Sequence, residues 1–260
     1  MSRKIIFLLA LIFTVSVSWQ ASAHDFWAGL GKADPGEQVV VFQGFGHNFP
    51  VADEITAEVF AERFEAPKLV GADGEIQLGA GPNAYTFNSR EALPAGSYYV
   101  AASSVVGFAS RTPSGFVRKS KAEDSSATSC SFGGNFGKNL FTVDPAGDDG
   151  WIKKPLGQKL EIVPQANPET VAVGGRFPVV VYFDGKPQPG ARVEAFFAGF
   201  TEDNSAAAFS ATTDKDGQVD IIPLRPGQWL AKVSQTEPYS DPAACDRETY
   251  SASLAFTIKE

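Results

Sequence analysis

The chain has 260 residues, 43% of them hydrophobic, and a formal net charge of −8 from 22 basic and 30 acidic side chains. That acidic balance argues against nucleic acid and anionic membrane surfaces as partners. The length suffices for one large or two ordinary domains, each able to bury a core.

Residues 1–23 read as a signal peptide. Arg3 and Lys4 give a positive start, and Ile5 to Val17 is an apolar run too short to span a bilayer comfortably. Ala21-Ser22-Ala23 is a small-x-small cleavage site. Cutting there would make His24 the first residue of the mature protein. This leader holds two basic residues and no acidic one, so the mature chain carries 20 basic against 30 acidic residues, a formal charge of −10. No other apolar run is long enough to cross a membrane, so direct membrane insertion of the mature protein is not expected.

The two cysteines, Cys130 and Cys245, would both be exported. An oxidising compartment makes a disulfide the default for such a pair. A thiolate metal site is the alternative, but two cysteines with no nearby histidine do not make a closed zinc site.

Helical periodicity is scarce. Short β-rich runs are separated by turn residues, among 25 glycines and 17 prolines, which is an all-β signature. Asp25 to Leu30 reads as a short strand, Asp34-Pro35-Gly36 as a turn, and Gln38 to Gly44 as a strand leading to a loop that carries His47. Ile55 to Lys68 alternates loosely, and Ala72-Asp73-Gly74 turns it back. Ala84 to Asn88 and Ser97 to Ala102 are further strands. Residues 111–149 look irregular, rich in Ser, Gly, Lys and Asn. The glycine run ending at Lys138 is not a phosphate-binding loop, because the spacing fails and no Ser or Thr follows the lysine. Asp144 to Gly150 looks like a linker.

A second β region follows. Leu160 to Pro164, Arg176 to Phe183, Ala191 to Phe197, Trp229 to Val233 and Ser251 to Ile258 read as strands. Thr213 to Val219 carries a hairpin signal at Asp216-Gly217. The Asp214 and Asp216 pair lacks the other ligands of a calcium loop, so turn chemistry explains it better. The expected fold is all-β, with two β-sandwich domains of immunoglobulin-like or transthyretin-like type. Their expected bounds are 24–149 for a metal-binding domain and 150–260 for the second.

The chain has only two histidines, His24 and His47. An N-terminal histidine offers a metal its α-amine and its ring Nδ1, which close a chelate. With His47 as a third nitrogen the set becomes a histidine brace, suited to Cu²⁺ or Ni²⁺. Asp25, Asp53 and Glu54 are the nearest acidic candidates for a further ligand. Phe26, Trp27, Phe42, Phe45 and Phe49 could form a dry shell around the site, though core packing explains most of them.

At His24-Asp25-Phe26-Trp27 and Gly46-His47-Asn48-Phe49-Pro50 the sequence resembles the DUF4198 family, which includes the periplasmic NikK-type component of nickel and cobalt uptake systems. Family members carry a His-x-x-Trp segment after the leader and a Gly-His-x-Phe-Pro motif soon after. Gly185-Lys186-Pro187, Asp216-Gly217, Arg225-Pro226-Gly227-Gln228-Trp229 and Tyr250 to Phe256 are similar too. The segment around Cys130 departs from the family pattern. The resemblance implies a periplasmic protein that binds Ni²⁺ or Co²⁺ and hands it to a membrane uptake transporter. The competing expectation is an enzyme, a copper-dependent monooxygenase acting on polysaccharide. Such enzymes also use an N-terminal histidine, a second histidine and a β-sandwich. No flat aromatic sugar-binding face is evident in the sequence.

Overall fold

The computed structural model describes residues 24–144, 149–201 and 206–260. The expected leader, residues 1–23, and most of the expected linker lie outside the described residues. In chain order the first half contains β1 (Asp25–Lys32), β2 (Gln38–Gly46), helix α1 (Ala57–Arg63), β3 (Lys68–Gly71), β4 (Gly74–Ile76), β5 (Leu78–Ala80), β6 (Thr86–Ala92), β7 (Gly96–Ser103), β8 (Gly107–Thr112), β9 (Gly115–Val117) and β10 (Ser129–Val143). The second half adds β11 (Leu160–Pro164), β12 (Phe177–Phe183), β13 (Lys186–Pro187), β14 (Arg192–Phe197), β15 (Phe209–Thr212), β16 (Gln218–Ile221), β17 (Gly227–Pro238) and β18 (Arg247–Ile258). The fold is all-β, as the turn-punctuated sequence predicts. No described helix is long and apolar enough to cross a membrane.

Three sheets stack in layers. The central sheet has ten strands and runs β15-β14-β17-β18-β10-β7-β3-β4, with β8 and β9 added at one end of β10. Residues on both sides of the expected 149/150 boundary contribute to it, because β10 and β18 pair in parallel from Ser131↔Arg247 to Asn139↔Ala255. Strand alternation gives the sheet two apolar faces. Tyr99, Leu140, Trp229, Leu254 and Phe256 point one way, against Leu160, Ile162, Val179, Val181 and Ile221 of the four-stranded sheet β11-β12-β13/β16. Tyr98, Val100 and Phe141 point the other way, against Phe26, Val39 and Val41 of the sheet β1-β2-β6-β5.

The edge of β1 sits on the central sheet. The Phe26 carbonyl accepts a hydrogen bond from Ser253 Oγ at 2.6 Å, and the Ala28 carbonyl accepts one from Asn139 Nδ2 at 3.3 Å. Trp27 reaches sideways into a small cluster with Phe49, Phe196, Leu230 and Ala255. This close seating corrects the expectation that residues 111–149 are irregular. The stretch is not irregular throughout, since it holds β9 and the fifteen-residue β10. Its glycines mark close approaches rather than a loop. A Cβ on Gly137 would lie 2.8 Å from the Ala28 nitrogen, where β1 crosses. Gly133 has φ +150°, and a Cβ there would come within 1.8 Å of the Thr249 carbonyl oxygen.

Two other expectations need correction. The stretch Ile55 to Lys68 contains α1, whose Thr56 cap accepts from Val59 N at 3.4 Å and whose only buried residue is Phe60. Seven residues with one buried anchor are too few to show a helical period. The Asp216-Gly217 turn also does not close a hairpin. It links β15, which pairs with β14, to β16, which pairs with β12 in a different sheet. The Asp214 carboxylate serves that turn by accepting from Asp216 N and Gln218 N, both at 2.9 Å.

Cys130 and Cys245 form a disulfide with Cα atoms 4.9 Å apart, tying the first residues of β10 to the segment just before β18. Asp246 braces the same corner. Its carboxylate accepts from Cys130 N at 2.7 Å and pairs with Lys121. The bond closes a loop with a sequence separation of 115. Loop-closure entropy then puts its contribution at about 4–5 kcal/mol. The double variant Cys130→Ser/Cys245→Ser should unfold at a correspondingly lower denaturant concentration, and an unchanged midpoint would contradict this.

A buried ion pair lies between the central sheet and its neighbour. Lys138 Nζ is 2.7 Å from Glu161 Oε1, and both side chains are 0% exposed. Glu161 also accepts from Leu156 N at 2.7 Å and Gly157 N at 3.1 Å, while the Lys138 ammonium lies 4.9 Å from the centre of the Tyr99 ring. The lysine that ended a glycine run in the sequence is a core residue.

Candidate metal centre

The β1–β2 hairpin builds the site. Its antiparallel register pairs Asp25 with Gly46 at the open end. The next residue outward on each strand is a histidine. Facing positions on an antiparallel pair put their side chains on the same side, within contact distance. The His24 and His47 ring centroids are accordingly 3.8 Å apart, tilted by 49°.

The chain after His47 folds back to supply a carboxylate. Val51 N bonds to Asn48 O at 2.7 Å, closing a tight turn that contains the cis Phe49-Pro50 peptide. Asp53 N then bonds to Phe45 O at 2.9 Å, which lays Asp53 alongside the end of β2. Gly46 makes room for it, because a Cβ there would lie 2.9 Å from both the Asp53 nitrogen and its Oδ1. Asp53 Oδ2 ends 3.4 Å from His24 Nε2 and 3.3 Å from His47 Nδ1. One ligand atom from each of the three residues lies within 4.8 Å of the others. The side chains are 41%, 34% and 43% exposed, so the group opens to solvent.

Phe45 is the one predicted shell aromatic that reaches an imidazole. Its ring is parallel to that of His24 within 1°, at 4.5 Å. Phe26 instead stacks on Phe64, and Trp27 and Phe49 meet edge to face in the small cluster. Packing on Phe45 has an electrostatic result. Partial burial lowers the His24 pKa, and the neighbouring His47 lowers it further. Asp53 opposes these effects, Arg63 adds a smaller lowering, and Asp25 a small raising. The ring is thereby biased towards its neutral, metal-binding form.

Of the acidic candidates, the structure brings Asp53 to the histidines. The Asp25 carboxylate is 3.3 Å from Lys232 Nζ on β17, and Glu54 is exposed outside the three-residue group. Spacing alone held no signal for Asp53 over Glu54. The turn at 48–51 decides which of the two faces back.

The profile of a family described as "Domain of unknown function (DUF4198)" matches residues 21–237. The chain belongs to this family. The match spans the histidine hairpin, the ion-paired core and most of β17. No curated protein matches the chain. Among solved structures, the D0-D1 domain of intimin is 16% identical, with 89% of this chain and 97% of that chain covered and a TM-score of 0.21. Fibronectin(III)-like modules of Clostridium thermocellum CbhA are 11% identical over 89% of this chain and 94% of that chain, TM-score 0.21. The trypsin-activated α-2-macroglobulin of Escherichia coli is 12% identical over 90% of this chain and 16% of that chain, TM-score 0.22. None of these likenesses bears on function.

Proposed function

We propose that the protein binds a divalent transition metal, Ni²⁺ or Co²⁺ with Cu²⁺ as the competitor, through His24, His47 and Asp53, and passes it to a membrane uptake transporter from the periplasm. The supporting observation is the meeting of the only two histidines in the chain with one carboxylate, all within 4.8 Å. Two imidazoles and a carboxylate suit the borderline metals. Three donors leave coordination positions open, unlike the four-ligand sets of closed structural zinc sites. The half-exposed setting suits a cargo that must arrive and leave. Removal of the leader would add the His24 α-amine to the donors. The disulfide agrees with an oxidising compartment.

The test is calorimetry of Ni²⁺ binding to mature protein purified from a periplasm, with metal analysis of the same material. One site per chain is expected. His47→Ala should cost more than the roughly 10–100-fold that loss of an outer-shell partner costs, and Asp53→Asn should cost less than His47→Ala. Unfolding midpoints should hardly change, since both side chains sit at an exposed strand end. Affinity equal to wild type in both variants would sink the proposal. Oxygen consumption by the copper-loaded protein with ascorbate and polysaccharide would favour the monooxygenase instead.

A further inference from the structure

Phe45 also lines a cavity of about 650 Å³, walled by the end of α1, by β8 and β9, and by β10 and β18. A volume of this size accommodates a small organic molecule. Its lining mixes apolar side chains with polar groups. Ser104, Ser131, Asn135, Thr249 and Ser251 contribute hydroxyl and amide groups, and Gly133 and Gly134 expose backbone. Three charged residues line it: Arg63, Arg118 and Glu62. Among the described residues neither arginine is in an ion pair with a carboxylate. Arg118 is held in place by a bond from Nη2 to Val105 O at 3.0 Å, which leaves its other N–H groups available to a ligand. Arg63 ends α1 and has no such tether from its guanidinium.

We propose that this cavity binds a small organic carboxylate, which accompanies the metal as its additional ligand. The second clause rests on the metal-binding reading above, whereas the cavity's own chemistry does not. Two arginines beside hydroxyl donors are the groups that recognise a carboxylate, and guanidinium pairs with it in bidentate fashion. Phe45 and Phe64, which both line the cavity, would cover the ligand's carbon skeleton. His24 of the metal group stacks on the same Phe45 ring. A ligand lying across that ring could place one carboxylate on the arginines and another on an open metal position. An uptake protein whose own donors leave metal positions open would in this way receive its metal already chelated.

The probe is citrate, titrated by calorimetry into metal-free and Ni²⁺-loaded mature protein. Citrate should bind the metal-free wild type, weaken by about tenfold or more in Arg63→Gln, and recover only in part in Arg63→Lys, which restores the charge but not the bidentate fork. Ni²⁺ affinity measured without citrate should change much less than citrate affinity in Arg63→Gln, because the side chain is not a ligand and its charge is one of the smaller influences on His24. Citrate should bind the Ni²⁺-loaded protein more tightly than the metal-free one. No citrate binding below about 10 mM, or equal binding in wild type and Arg63→Gln, would overturn the cavity site. Equal citrate affinity with and without Ni²⁺ would overturn its link to the metal. Failure of Ni²⁺ to bind wild type would sink the metal reading, while citrate binding lost in Arg63→Gln would still uphold the carboxylate site.

Discussion

A mature protein extended by one alanine before His24 is expected to bind Ni²⁺ about two orders of magnitude more weakly than protein beginning at His24, a loss of about 2.7 kcal/mol. The reason is chemical. The extension turns a basic α-amine into an amide nitrogen, which is not a neutral-pH donor, and the chelate with the imidazole is lost. In the structure His24 presents Nε2 to Asp53, whereas chelation through the α-amine needs Nδ1. A half-turn of the ring about its Cβ–Cγ bond exchanges the two edges and keeps the imidazole in the same plane against Phe45. The stacking at 4.5 Å therefore survives the change. His47 and Asp53 remain in the extended protein, so binding should weaken rather than vanish. The pH dependence has a definite sign. Protons compete for the same donors, and an ordinary α-amine has a pKa of about 7.7–8.0. Affinity should fall as pH is lowered from about 7.5 to 5.5, and fall less steeply in the extended protein. Superimposable titration curves for native and extended proteins would remove the α-amine from the site.

The hairpin that makes this site is legible in the sequence. A strand at 25–30, a turn at Asp34-Pro35-Gly36 and a strand from Gln38 place the segments after His24 and before His47 side by side. What pattern reading could not supply was the register, because the bulge between Leu30 and Lys32 shifts the pairing by one residue. The choice of Asp53 was illegible for a related reason. It depends on a four-residue turn and on the missing Cβ of Gly46, both of which act through space. The glycines at 133, 134 and 137 misled in the opposite direction. A glycine in a strand and a glycine in a loop look alike in sequence, and only the crossing of β1 over Gly137 distinguishes them. Lys138 reads in the sequence as the end of a motif that fails, since a charged residue gives no sequence sign of full burial unless its partner is known. Glu161 lies 23 positions away and across a sheet interface. The disulfide needed no register. Two cysteines leave one pairing, and the parallel β10–β18 ladder supplies the geometry.

Removing either member of the Lys138–Glu161 pair should be among the most destabilising substitutions in the protein. Both side chains are fully buried, so loss of one leaves an uncompensated charge in the core, at a cost of about 3–5 kcal/mol. Lys138→Met strips the ammonium from a carboxylate that keeps only the Leu156 and Gly157 N–H groups. Glu161→Gln leaves the ammonium with a neutral oxygen and the face of Tyr99. The double variant Lys138→Met/Glu161→Leu removes both charges and should lose less than the two single losses combined. It still strands the two N–H groups, at about 1–3 kcal/mol each, so it should not recover wild-type stability. The pH response separates charge from packing. Burial lowers the Lys138 pKa from its ordinary value, and Glu161 acts to raise it. Without the carboxylate, burial is unopposed and the folded-state pKa falls further. The unfolded chain then binds more protons than the folded one up to about pH 10, so the stability of Glu161→Gln should rise with pH across that window. Denaturation of Glu161→Gln at pH 7 and pH 9.5 measures this. Equal stability at both values would mean that the lysine keeps its proton in the folded variant across this window and that burial does not lower its pKa there.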